Sequence, residues 1–139
     1  MRFIVFVRAN ADTEAGAPPS EAELAAMTDF NERLVDAGIM RGGEGLHPTS
    51  TGARLDYVGG EVSVTAGPFA DLETVVAGFW LLEAGSIEEI TEWMREAPFT
   101  DQSLEVRQIL EAEDFGDALT PELRDREQAM RRRTENRVA

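Results

Sequence analysis

Phe3-Ile4-Val5-Phe6-Val7 opens the chain as a short apolar run, β-branched and aromatic, and reads as a buried strand that ends at Arg8. Residues 9–19, with Asn10, Asp12, Gly16, Pro18 and Pro19, read as a loop too long for a tight turn. Leu24, Met27, Phe30 and Leu34 then recur at helical spacing up to Gly38, and Ser20 with Glu23 forms the capping box that starts this first helix. Ile39 to Leu46 fits a second strand, in which Gly42, Gly43 and Gly45 predict a bulge or a close backbone approach.

Polar and apolar residues alternate over Arg54 to Val58 and again over Glu61 to Thr65. Gly59-Gly60 between them tolerates the positive φ angles of a two-residue hairpin turn. Val75 to Glu83 is apolar almost throughout, which requires cover on both faces or burial at a subunit contact. Ser86 and Glu89 make a second capping box; Ile87, Ile90, Trp93, Met94 and Ala97 supply the buried stripe, and Pro98 stops the helix. Leu104, Val106 and Gln108 alternate with Glu105, Arg107 and Ile109 as a last strand.

The order is strand–helix–strand, hairpin, strand–helix–strand. That is the split βαβ, ferredoxin-like pattern, so the expected class is α+β with an inserted β-hairpin and a C-terminal helical extension. Residues 1–112 are expected to form the ferredoxin-like domain. Residues 113–139 are expected to continue an acidic linker, anchored by Phe115, into an Arg-rich helix opened by Thr120-Pro121. With helices on one face only, the opposite sheet face would carry Phe3, Val5, Phe79 or Leu81 into water. Pairing two such faces is the economical cover, and a homodimer is expected.

Composition narrows the chemistry. At 139 residues the chain suits one domain with a real core, and the absence of cysteine excludes disulfides, thiolate nucleophiles and cysteine metal sites. No stretch approaches the roughly twenty apolar residues of a membrane span, and residues 1–30 lack a secretory pattern, so a cytoplasmic protein is expected. A net charge of −14 opposes direct binding to nucleic acid. Arg124, Arg126, Arg131, Arg132, Arg133 and Arg137 nevertheless make the tail basic, which suits a solvated helix or an interaction module that holds an acidic partner.

His47, in Leu46-His47-Pro48, is the single histidine and the one side chain whose ordinary pKa suits acid–base work near neutrality. Glu44 or Asp56 could orient it. One histidine without cysteine leaves no metal-ligand cluster, Glu88-Glu89-Glu92-Glu96 reads as a solvated helix face, and no serine sits in a nucleophile elbow. Gly42-Gly43-Glu44-Gly45 lacks the spacing of a phosphate-binding loop. No cofactor and no metal are expected. Phe79 and Trp80 are neighbours on one strand, so one faces the helices and the other the opposite side, as core, dimer seam or crevice wall.

The opening Met-x-Phe-Ile-Val-Phe, Phe30-Asn31-Glu32-Arg33-Leu34, Ala37-Gly38, Gly42-Gly43-Glu44-Gly45-Leu46, Gly67-Pro68-Phe69-Ala70, Gly78-Phe79 and Glu105-Val106-Arg107 follow one another in an order that resembles the YCII-related, DGPF-type domain family. The resemblance implies a dimeric α/β barrel of ferredoxin-like topology and a crevice beside the Gly-Pro-Phe turn. Relatives include proteins that look like lyases removing halide from aromatic compounds, and others that accompany extracytoplasmic-function sigma factors. Ala66 stands where the family motif has aspartate, and Met27 falls near the position of a first-helix histidine that some relatives carry. The resemblance therefore implies a homodimeric small-molecule-binding or regulatory domain. The enzyme alternative, of lyase or isomerase type, would use His47 with a nearby carboxylate, Asp71 among them. Glu44, Gly67, Pro68, Phe69, Phe79 and Trp80 are the expected ligand-facing residues.

Overall fold

The strands that the apolar runs predict assemble into a four-stranded sheet. These are β1 (Arg2–Arg8), β2 (Met40–Gly45), β5 (Val76–Glu83) and β6 (Leu104–Gln108), in the order β2-β5-β1-β6 with every neighbouring pair antiparallel. β1 and β2 are therefore parallel with β5 between them, and β5 and β6 are parallel with β1 between them. Two strand–helix–strand units interleave, and the sheet is open, with β2 and β6 at its edges. The computed structural model describes residues 1–138 and divides into two compact units, Met1–Gln108 and a second from Ile109 onward.

Register decides which side chains meet the helices. Phe3 lies opposite Leu82, and Val5 lies opposite both Trp80 and Val106, so these residues share one face. On that face α2 (Glu21–Asp36) contributes Phe30 and Leu34, and α3 (Ile87–Met94) contributes Ile90 and Met94, to one buried cluster with Phe3, Val5, Trp80 and Leu82. Ile4 opposite Leu81 and Phe6 opposite Phe79 take the other face, each half-buried. The expectation that Phe3 and Val5 lie on the helix-free face is thus corrected. In an all-apolar strand both alternating sets are greasy, so the two-residue period groups the residues without saying which group turns inward.

Both helices start at the expected serine caps, but among the described residues the reciprocal glutamate bond of a capping box does not form, and the Glu89 carboxylate accepts the Gly85 N–H at 2.9 Å instead. Ser20 Oγ accepts the Glu23 N–H at 3.1 Å, and Ser86 Oγ accepts the Glu89 N–H at 3.2 Å. α2 closes in a Schellman motif: Gly38 takes φ 74°, its N–H donates to the Val35 carbonyl, and the Ile39 N–H donates to the Leu34 carbonyl at 2.9 Å. The buried stripe is shorter than the periodicity implies, since Leu24 and Ile87 are exposed while Met27 and Trp93 are only partly buried. The segment read as a plain loop contains one helical turn, α1 (Ala11–Glu14). Asn10 and Thr13 each accept the other's backbone N–H at 2.9 Å and so define that turn.

β3 (Ala53–Val58) and β4 (Glu61–Ala66) form a separate two-stranded sheet around Gly59 and Gly60, at φ 59° and 84°. Positive φ at both turn positions is what the twist-matched two-residue turn requires.

In the second unit, 3-10 turns over Ala112–Ala118 kink at Gly116, and Phe115 is exposed. Thr120 Oγ1 accepts the Leu123 N–H at 3.3 Å at the start of α4 (Pro121–Val138), whose Leu123 and Met130 are exposed. None of the described helices is long and apolar enough to cross a membrane.

Candidate functional site

The strand directions place the ends of β1 and β2 and the beginnings of β5 and β6 at the same end of the sheet. The connections that follow or precede them gather there, and they are tied together by side chains far apart in sequence. The Glu14 carboxylate accepts the Thr49 backbone N–H at 2.8 Å and also the Thr49 hydroxyl. Thr49 Oγ1 in turn accepts the Phe69 N–H at 2.9 Å. One threonine thus joins α1, the turn after β2 and the Gly-Pro-Phe turn. The Thr49 hydroxyl first, and the Thr49 amide second, hold the Glu14 carboxyl below its ordinary pKa, because both bonds favour the ionised form.

Gly67 is required by closeness. Its N–H donates to the Gly52 carbonyl at 2.9 Å, and a Cβ built on it would lie 1.6 Å from the Thr49 carbonyl oxygen. The bond to Pro68 that follows is cis. Phe69 then lies beneath the Arg54 guanidinium, 4.0 Å from cation to ring centroid. Arg54 also donates to Thr74 Oγ1 at 2.8 Å, and that hydroxyl donates to the Asp71 carbonyl at 2.8 Å. Asp71 therefore joins this network through its backbone, and its side chain lies at an exposed position.

His47 is exposed, and no hydrogen bond or ion pair among the described residues joins it to Glu44, Asp56 or Asp71. Glu44 is exposed on β2 opposite Phe79, on the sheet face turned away from α2 and α3. Trp80 points the other way into the core. Its Nε1 donates to Asn31 Oδ1 at 2.9 Å, and its ring meets Phe30 and Phe99 edge-on, each at 6.0 Å between centroids. The close approach implied by the glycine-rich strand occurs here, since a Cβ on Gly43 would lie 3.0 Å from Trp80 Cδ1.

A depression of about 350 Å³ opens at this end of the sheet, bounded by Arg8, Asn10, Leu72, Glu73, Asp101 and Gln102 among others. It is formed by the end of β1, the segment before β5 and the segment before β6. Among the described residues the Arg8 guanidinium donates to the Glu73 carbonyl at 2.6 Å and to Glu105 Oε1 at 2.7 Å, two of its five N–H donors. The backbone N–H groups of Arg8 and Ala9 donate to the Ser103 and Val75 carbonyls, which fixes the rim. The Gly-Pro-Phe turn, His47 and the strand aromatics named from the sequence do not line this depression. Arg8 carried the one available signal, as the charge that ends an otherwise apolar strand at the sheet end where the connections converge.

Among the described residues no group of three or more His, Asp or Glu is arranged to hold a metal ion. The depression can offer hydrogen-bond donors from Arg8, beside carboxylates, to a small polar molecule; its volume is at the lower end of the range for ligand pockets.

The YCII-related domain model matches residues 1–113. An uncharacterised protein of Rhizobium meliloti (strain 1021) is 29% identical over 90 residues, which span 63% of this chain and 73% of that protein. The chain belongs to the YCII-related domain family.

Proposed function

We propose that this YCII-related protein is a homodimeric binding domain for a small polar molecule, taken up at the Arg8 end of the sheet. The observation that carries the reading is the depression of about 350 Å³, whose walls come from three distant connections. Among the described residues Arg8 places one N–H on the Glu73 carbonyl and one on Glu105, and its other donors would serve an acceptor group such as a carboxylate or phenolate. Binding without turnover is favoured because Ala66 and Met27 are not ionisable, and because no hydrogen bond or ion pair among the described residues joins exposed His47 to Glu44, Asp56 or Asp71. Fold membership by itself assigns no reaction.

The homodimer is supported by the helix-free face, where Ile4, Phe6, Phe79 and Leu81 form an apolar patch that no helix of the first unit covers. The interleaved strand order is the ferredoxin-like arrangement, and two such faces brought together would close a dimeric α/β barrel. Titrating a panel of small carboxylic acids and phenols against the thermal transition tests the binding reading. A true ligand at a hundred times its dissociation constant should add about 2.7 kcal/mol, and Arg8→Met should remove that gain. A panel without saturable stabilisation, or a gain that survives Arg8→Met, defeats the reading.

A further inference from the structure

The β3–β4 hairpin has two unlike faces. Register pairs Leu55 with Val64, Tyr57 with Val62 and Ala53 with Ala66 on one side, and Arg54 with Thr65, Asp56 with Ser63 and Val58 with Glu61 on the other. The first side is wholly uncharged, yet Leu55, Tyr57, Val62 and Val64 are 50–73% exposed. Every residue of β4 is exposed, and the hairpin shares no ladder with the main sheet. The contacts of Arg54 with Phe69 and Thr74 lie on the polar side, whereas the apolar side is left open among the described residues; a two-stranded ribbon is marginal in water, so such a face needs cover.

We infer that the apolar face of the β3–β4 hairpin packs against the second copy of the chain, as an arm of the dimer interface. The inference rests on the homodimer reading above. Two further observations select a second copy as the occupant. The first is charge: two chains of net charge −14 repel, and they can meet most cheaply where neither presents a charge. The hairpin confines Arg54, Asp56 and Glu61 to its opposite side. The second is area. Four half-buried side chains on the helix-free face offer on the order of a few hundred Å², against roughly 800 Å² per partner in a standard specific interface. The hairpin face supplies apolar area of the kind that is missing.

Because the chain has no cysteine, one introduced thiol reports on one position. Val64→Cys lies on the apolar side and Thr65→Cys on the polar side of the same strand. Thiol alkylation of the two full-length variants is followed while sedimentation records their mass. In the dimer, Val64→Cys should react at least about tenfold more slowly than Thr65→Cys, and the difference should vanish on dilution to the monomer. Equal rates in a chain that sediments as a dimer overturn the hairpin inference and leave the dimer standing. Protection of Val64→Cys that persists at every dilution puts the cover within one chain and also overturns it. A chain that is monomeric at all concentrations removes both readings. As a second arm, Leu55→Lys should raise the dimer dissociation constant by about tenfold with the fold unchanged, and an unchanged constant counts against the inference.

Discussion

Glu14 accepts two hydrogen bonds from Thr49, thirty-five residues further along the chain, and so fastens the one-turn helix α1 to the turn after β2. The carboxylate form makes both bonds, so the contact has a sign with respect to pH. A carboxyl whose folded pKa is depressed contributes stability above its unfolded value, here the ordinary 4.5, and loses it as pH falls through the folded value. Glu14→Gln should therefore be less stable than the native chain at neutral pH. The gap should narrow as the pH is lowered from about 6 to about 3, read from urea midpoints at each pH. A gap that stays constant would show that Thr49 does not discriminate between the two protonation states.

Gly67 faces the Thr49 carbonyl at a distance that no side chain tolerates. Gly67→Ala must push two backbone segments apart, and a loss of about 1–3 kcal/mol is expected, the usual range for overpacking. Gly45→Ala is the control, since nothing lies within 4 Å of its Cβ position, and it should stay within about 0.5 kcal/mol of the native chain. Chemical denaturation of the two variants under one set of conditions decides the matter.

Asn31 and Trp80 form a polar contact at the edge of the core. Removing the acceptor with Asn31→Leu leaves the buried indole N–H without a partner, at an expected cost of about 1–3 kcal/mol. Asn31→Asp, which keeps an acceptor, should cost less. A ranking in the reverse order would mean that the amide contributes through its shape alone.

Ile4 and Phe79 lie on the sheet face opposite α2 and α3, away from the buried cluster. Ile4→Glu should leave the monomer folded while shifting sedimentation from dimer to monomer at micromolar concentration. Loss of far-ultraviolet circular dichroism in the variant would instead assign Ile4 to the core. Phe3→Ala is the contrast: Phe3 is fully buried, and the substitution should cost about 3–5 kcal/mol of folding stability.

Strands, caps and hairpin were legible in the sequence because each rests on local chemistry. Ser20, Ser86, Gly38 and Gly59-Gly60 act within a few residues of themselves, and their consequences appear where the spacing places them. The facing of β1 was not legible, because Ile4 and Phe6 are as apolar as Phe3 and Val5. The one-turn helix at Asn10 was hidden by the prolines and glycine around it. The candidate site was the least legible. Arg8, Glu73 and Asp101 come together only through strand order, and Thr49 looks like any loop threonine until Glu14 and Phe69 are found on either side of it.

Thr49 gives one hydroxyl to two distant segments, so neither can let go without disturbing the other's hold. The rim of the sheet should accordingly breathe as a single cooperative unit. Amide exchange at Phe69 and around α1 would then share one opening free energy, and a molecule that quietens either segment would quieten both.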